Sequence, residues 1–208
     1  MAKVGIDLKD ISQIIPKKQK ISSRNKGKSG EYFFANFLTE LTGKKFMKVP
    51  NSGAILGASN QQKVLQLTAG VANVFLGDLI PPADFKHKHI LECKNYAKFA
   101  FDKLKKQKTN GQLEEWLGQL LHDCITYLMM ADSRPMLPFL FIKITGVGSW
   151  VVYNVDFTKK ILPGVSLEKE FEIIYSPRQE LLALGMGTLF HMTDFKTWTT
   201  KNKDLLFQ

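Results

Sequence analysis

The sequence predicts an α/β protein in which a mixed β-sheet is flanked by helices. Apolar residues recur with a 3.6-residue period between Gln112 and Met130, which is the pattern of an amphipathic helix. The segment PFLFIKI at 138–144 is almost continuously apolar, as expected for a central strand that is covered on both faces. Helical and strand-like segments also follow one another in an order that favours a sheet with helices packed against it.

The predicted elements of the first half surround a less regular stretch, residues 54–74, which is interpreted as an insertion or loop. Turn-forming residues and apolar periodicity define the ends of these helices and strands. In chain order they are a helix that begins between Asn25 and Ser29 and runs to Leu41, where Gly43 ends it, a strand near Lys45–Val49, the turn PNSG at 50–53, and strands at 75–80 and 88–94.

The second half is predicted to contain the helix at 112–130, strands at 138–144, 149–155 and 186–192, and a short helix at 194–199. Trp116 and most phenylalanines have core spacing, so we expect them to be packing residues. We expect residues 1–24 to form a flexible basic arm. Residues 25–208 then form a single domain, in which 156–208 is a C-terminal extension.

The charge of the chain indicates a polyanionic partner. The net charge is +10, and Lys or Arg residues are concentrated in residues 1–30 and 94–108. Nucleic acid is the commonest partner of such a surplus, although a solubilising surface is the alternative. The two cysteines provide no disulfide framework, and no apolar run is long enough to span a bilayer. We therefore expect a cytoplasmic protein, associated with the nucleoid or made by a virus in its host's cytoplasm.

The segment HILECKN contains the first candidate site residues. Glu92 and Lys94 project from the same face of its predicted strand, which otherwise carries core residues. Phosphodiester hydrolysis needs a metal held by carboxylates, an activated water and nearby positive charge, which this pair could supply. The alternative is a surface ion pair of little energetic value. Zinc binding by His87, His89 and Cys93 is disfavoured because a convincing fourth ligand is missing.

Asp78 makes a metal site more plausible than Glu92 and Lys94 do alone. It lies fourteen positions before Glu92, a gap that fits two short strands joined by a turn. Two carboxylates brought together in this way suit Mg²⁺, which binds oxygen ligands. Asp84 is the rival acid, but it is expected at the tip of the turn, too far from Glu92. Either aspartate could instead be an ordinary turn residue.

Three further polar residues border the apolar stripes of the two predicted helices. Glu31 lies beside the stripe of the first helix and could reach a site between helix and sheet, although an acid in a first helical turn is also favoured by the helix dipole. Gln112 and Gln119 lie on one side of the long helix, near Asp123. They could support the site or simply form a solvated helix edge.

The ordered motifs GEYF, GDLI and ECK resemble those of the PD-(D/E)xK nucleases, which carry a helical Glu, a strand Asp and then Glu-x-Lys. The segment from 24 to 53 is also similar to the start of archaeal and phage Holliday-junction resolvases. The resemblance spans residues 22–155 and departs from the family pattern at Gly77, at the insertion 54–74 and in the last fifty residues. The matching positions of the resolvase-like start are Arg24, Lys26, Gly27, Glu31, Ser52 and Gly53.

The resemblance implies a restriction-endonuclease-like core and a DNA endonuclease that depends on Mg²⁺, for which Mn²⁺ is expected to substitute. Asp78 and Glu92 would bind the metal with Glu31, Lys94 would complete the catalytic set, and Gln112 or Gln119 would support it. A homodimer acting on branched DNA is the favoured form. The alternatives are a restriction- or repair-type nuclease on linear, flap or damaged DNA, and a non-catalytic DNA-binding module. The expected DNA-binding residues are Arg24, Lys26, Lys28, Ser52, Lys103, Lys105 and Lys106.

Overall fold

The computed structural model describes residues 23–50, 76–106, 110–129, 133–176 and 178–208. Ser52, Gly53, the insertion 54–74 and residues 1–22 of the arm lie outside the described residues. The elements are α1 (Ser23–Thr42), β1 (Met47–Lys48), β2 (Leu79–Ile80), β3 (Lys88–Tyr96), α2 (Phe101–Lys105), α3 (Gly111–Leu128), β4 (Met136–Ile144), β5 (Gly148–Asn154), α4 (Val155–Ile161), β6 (Phe171–Ile174), α5 (Arg178–Leu184), β7 (Leu189–Asp194), α6 (Phe195–Lys201) and α7 (Lys203–Leu206).

A five-stranded mixed sheet forms the centre of the fold, in the order β3-β4-β5-β7-β6. β3 and β4 are parallel, and the remaining neighbours are antiparallel. A parallel pair needs a crossover connection, which here contains α2 and α3. β1 and β2 pair separately as a short antiparallel ribbon. The prediction of a mixed α/β sheet flanked by helices, with a restriction-endonuclease-like core, is confirmed.

Two hydrophobic clusters cover the two faces of the sheet. On one face, Ile90 of β3 and Leu140 and Ile142 of β4 share a cluster with α3, whose Trp116 is 1% exposed. On the other face, Leu91 and Cys93 pack with α1 and α6, and Trp198 is also 1% exposed. The alternation along β3 therefore directs Glu92 and Lys94 to the α3 side. The prediction that Trp116 is a packing residue is confirmed.

The observed helix α3 agrees closely with the helix that the apolar periodicity of residues 112–130 predicts. α3 begins one residue earlier and ends two residues earlier than the predicted helix. Asn110 provides the start signal, because its side chain accepts a hydrogen bond from the Leu113 N–H. Of the described helices, none is long and apolar enough to cross a membrane.

The predicted strand at 75–80 is shorter than its apolar pattern suggested, since within the described residues 76–80 only Leu79–Ile80 pairs as a strand. Gly77 has a φ of 75°, which turns the chain before β2 and ends any continuous strand there. The predicted strand near Lys45–Val49 is also reduced, to Met47–Lys48. The helix α2 was not predicted, because a helix of five residues is too short to show an apolar periodicity in the sequence.

The C-terminal fifty residues take part in the central sheet. β7 lies between β5 and β6, so two of the five strands come from residues 156–208. The strand predicted at 186–192 corresponds to β7, and the short helix predicted at 194–199 corresponds to α6. The Asp194 side chain caps α6 by accepting a hydrogen bond from Thr197 N–H.

Candidate active site

Asp78 is attached to β3 by two hydrogen bonds. Its N–H donates to Leu91 O at 2.7 Å, and its Oδ2 accepts the Cys93 N–H at 2.8 Å. The second bond holds the Asp78 carboxylate at the strand position next to Glu92. Gly77 permits this approach, because a Cβ at that position would lie 2.8 Å from both Leu91 N and Leu91 O. The geometry therefore brings the two predicted acids together.

Glu92 and Lys94 form an ion pair on the α3 side of β3. Lys94 Nζ lies 2.5 Å from Glu92 Oε1 and 2.5 Å from Gln119 Oε1. Glu92 is buried, and burial raises its pKa well above the usual range, with the Asp78 carboxylate adding to the rise. Such mutual repulsion makes the pair of acids a favourable place for a cation. Gln119 supports Lys94, because its side-chain oxygen accepts a hydrogen bond from the ammonium group.

Glu31 forms a second ion pair, with a lysine that the sequence analysis did not identify. Lys48 Nζ lies 2.7 Å from Glu31 Oε2, and both side chains are less than 15% exposed. Burial raises the pKa of Glu31, and the Asp78 carboxylate also acts in that direction, whereas Lys48 and Lys28 act against it. Glu31 and Lys28 are therefore near the site. The only available sequence signal for Lys48 was a charge within the apolar segment FMKV.

Asp123 is the other residue that sequence reasoning did not assign. Its Oδ2 accepts the Gly77 N–H at 2.9 Å, so α3 contacts the peptide that precedes Asp78. The side chain is buried, and burial raises the pKa of Asp123 to about 6. Asp123 lies four residues after Gln119, on the same edge of α3. That spacing was the signal that could have identified it.

The remaining predicted residues belong to the first turn of α3, the turn after β2, the start of α1 and the region of α2. Gln112 is in the first turn of α3, two turns and roughly 10 Å along the helix from Gln119. Asp84 is exposed and pairs with Lys44 at 2.7 Å, as expected of a turn residue. Arg24 and Lys26 belong to α1, but their side chains fall outside the described part. Lys103, Lys105 and Lys106 are exposed at and just after the short helix α2.

The donor set of the site fits a hard divalent cation. Within the described ranges, no group of three or more His, Cys, Asp or Glu side chains is arranged to hold a metal ion. Mg²⁺ does not require such a group, because one or two carboxylates completed by water and phosphate suffice. Asp78 and Glu92 supply those two carboxylates. The zinc alternative is also disfavoured by His89, because its Nε2 is engaged in a hydrogen bond with Leu206 O at 2.8 Å.

Comparison with known proteins gives one result at the family level. A family model described as "Phage putative PDDEXK endonuclease" matches residues 22–207. Neither a curated protein nor a solved structure matches the chain. The matched segment includes α1, β3 and both C-terminal strands, and so contains every acid described above. Because the match extends over nearly the whole length, the chain belongs to this phage family and, with it, to the PD-(D/E)xK nuclease superfamily.

Proposed function

We propose that this protein is a Mg²⁺-dependent endonuclease that hydrolyses phosphodiester bonds in DNA. The observation that carries the proposal is the Asp78 carboxylate, held by the Cys93 N–H beside the buried Glu92, with Lys94 on the same side of β3. A protein that only bound DNA would gain nothing from buried carboxylates near the phosphates. This set of groups therefore favours a catalytic role over a non-catalytic binding module.

Each side chain of the candidate active site has a distinct role in this proposal. Asp78 and Glu92 would hold Mg²⁺, with Glu31 close enough to assist, and Mn²⁺ should substitute. The bound metal supplies Lewis-acid stabilisation of the phosphate and a more acidic water. Lys94 donates hydrogen bonds to the attacking water or to the developing charge, and Gln119 holds its ammonium group in place. Glu31 has Lys48 as its counter-ion.

The positive charge of the chain would hold the phosphate backbone. Lys28 lies near Glu31, and Lys103, Lys105 and Lys106 are exposed around α2. Exposed lysines suit phosphate contacts, which position DNA without reading its sequence. Arg24, Lys26 and Ser52 are assigned to DNA contact by the resemblance of the N-terminal segment to resolvases.

The favoured substrate is branched DNA, cleaved by a homodimer that addresses two strands symmetrically. The resemblance of residues 24–53 to Holliday-junction resolvases supports this choice. A restriction- or repair-type nuclease acting on linear, flap or damaged DNA is the alternative within the same chemistry. These two candidate activities can be distinguished by measurement, since a resolvase cuts a four-way junction faster than a linear duplex of the same sequence.

The test compares the wild type with Asp78→Asn and Glu92→Gln on junction, flap and linear duplex DNA with Mg²⁺. Both substitutions remove a charge with little change of shape, and loss of a key electrostatic group typically costs about 10²-fold or more. Glu115→Gln is the matched control, because Glu115 is exposed on α3. We expect both site variants to lose cleavage but keep DNA binding. Cleavage that persists in both, or in EDTA, would refute the proposed site.

A further inference from the structure

Building on the proposed function, we infer that Asp123 is a positioning residue that fixes the proposed metal ligand Asp78 through the backbone of Gly77. The hydrogen bond from Gly77 N–H to Asp123 Oδ2 measures 2.9 Å and joins residues 46 positions apart. Gln119, one helical turn earlier, accepts a hydrogen bond from Lys94. One edge of α3 therefore contacts both the segment that carries Asp78 and the catalytic lysine.

The Gly77 N–H needs an acceptor that β3 does not supply. Gly77 is buried against the backbone of Leu91, and the Leu91 carbonyl already accepts the Asp78 N–H. A buried backbone N–H without a partner is costly, so an acceptor from another element is required. Asp123 is that acceptor. It thereby defines the orientation of the peptide plane from which the Asp78 side chain leaves.

The geometry separates this role from direct metal binding. The Asp123 oxygen that is seen in contact is directed at a backbone N–H, whereas the Asp78 carboxylate is held by Cys93 on β3. Positioning needs only an acceptor oxygen, and a neutral amide oxygen provides one. Metal ligation needs the negative charge. Asn at position 123 therefore keeps the first function and removes the second.

The experiment compares Asp123→Asn, Asp123→Ala and the control Glu115→Ala in the full chain. Cleavage with Mg²⁺ gives kcat and KM, and Glu92→Gln reports separately on whether the proposed nuclease chemistry is present. A second readout does not depend on activity. The protein is labelled with ¹⁵N-glycine, and the Gly77 amide is followed among the 15 glycines. Loss of its hydrogen bond should shift that amide and speed its exchange with solvent.

We expect Asp123→Asn to keep kcat within about threefold of the wild type, since the acceptor remains. Asp123→Ala should lower kcat by about 10- to 10²-fold with little change in KM, because a misplacement of about 1 Å can cost that much. The Gly77 amide should move in the Ala variant but not in the Glu115→Ala control.

Two results would overturn the inference. If Asp123→Asn is as inactive as Asp123→Ala, the charge is required and Asp123 does not act through its acceptor oxygen. If the Gly77 amide is unchanged in Asp123→Ala, the proposed contact does not hold this peptide. The second result applies even to a protein without nuclease activity, so failure of the inference and failure of the proposed function are distinguishable.

Discussion

Replacing Gly77 with Ala tests the close approach that places Asp78 on β3. Gly77 has a φ of 75°, and the added Cβ would lie 2.8 Å from Leu91 N and Leu91 O, two backbone atoms of a sheet strand. Gly43 is a matched control, with a φ of 69° and no atom within 4 Å of the added Cβ. The two variants share the cost of a positive φ, but only one introduces a steric clash.

The expected magnitudes follow from these two terms. The left-handed conformation costs Ala roughly 1–2 kcal/mol, partly offset by the lower entropy of the unfolded chain. Overpacking against atoms that cannot move adds about 1–3 kcal/mol. Gly77→Ala should therefore lower the free energy of unfolding by about 1–3 kcal/mol more than Gly43→Ala does. It should also reduce cleavage, because Asp78 can no longer reach the Cys93 N–H.

Urea denaturation followed by tryptophan fluorescence measures the difference between the two variants, and junction cleavage measures the effect on the site. Equal destabilisation by both substitutions would show that Gly77 does not pack against β3 as described. Normal cleavage by a destabilised Gly77→Ala protein would also refute the reasoning, since it would mean that the position of Asp78 does not depend on this contact.

Three further predictions concern other parts of the molecule. Burial lowers the pKa of His89 to about 4, below the value of about 6.5 for an unfolded histidine. As the pH falls from 6.5 to 4, the unfolded chain binds a proton that the folded chain does not, so the free energy of unfolding should decrease by about 3 kcal/mol. Above pH 6.5 this contribution to stability is fully present. Urea titrations across this range should give His89→Phe a flatter pH dependence than the wild type, and equal slopes would contradict the assignment. Lys48→Met leaves Glu31 without its counter-ion and should lower the unfolding free energy by about 1–3 kcal/mol, whereas Lys44→Met, in an exposed pair, should cost under about 1 kcal/mol. A thermal or urea unfolding series decides this, and restoration of stability by adding Glu31→Gln is the expected rescue. DNA affinity should fall steeply with salt, with a log–log slope near roughly −0.9 per phosphate contacted, and deletion of residues 1–20 should reduce that slope in a fluorescence-anisotropy titration. An unchanged slope would mean that the arm does not contact DNA.

Local periodicity was sufficient for several elements and for part of the site. The 3.6-residue period of α3 and the alternation along β3 are properties of contiguous segments, so they can be read without knowledge of the fold. For the same reason the sequence placed Glu92 and Lys94 on one face of a strand. The fourteen-residue gap between Asp78 and Glu92, which fits two short strands joined by a turn, then suggested that the two carboxylates meet, and the structure brings them together.

Only the tertiary structure decided the contacts between distant segments. The bond from Gly77 to Asp123 spans 46 residues, and the pair of Lys48 with Glu31 depends on how α1 lies against β1. No periodic pattern encodes either contact, because each depends on which elements become neighbours. The same holds for β7, whose position between β5 and β6 follows from sheet order. The sequence by itself determined the residue types and their local faces, whereas packing of separate elements determined which of those faces share a site.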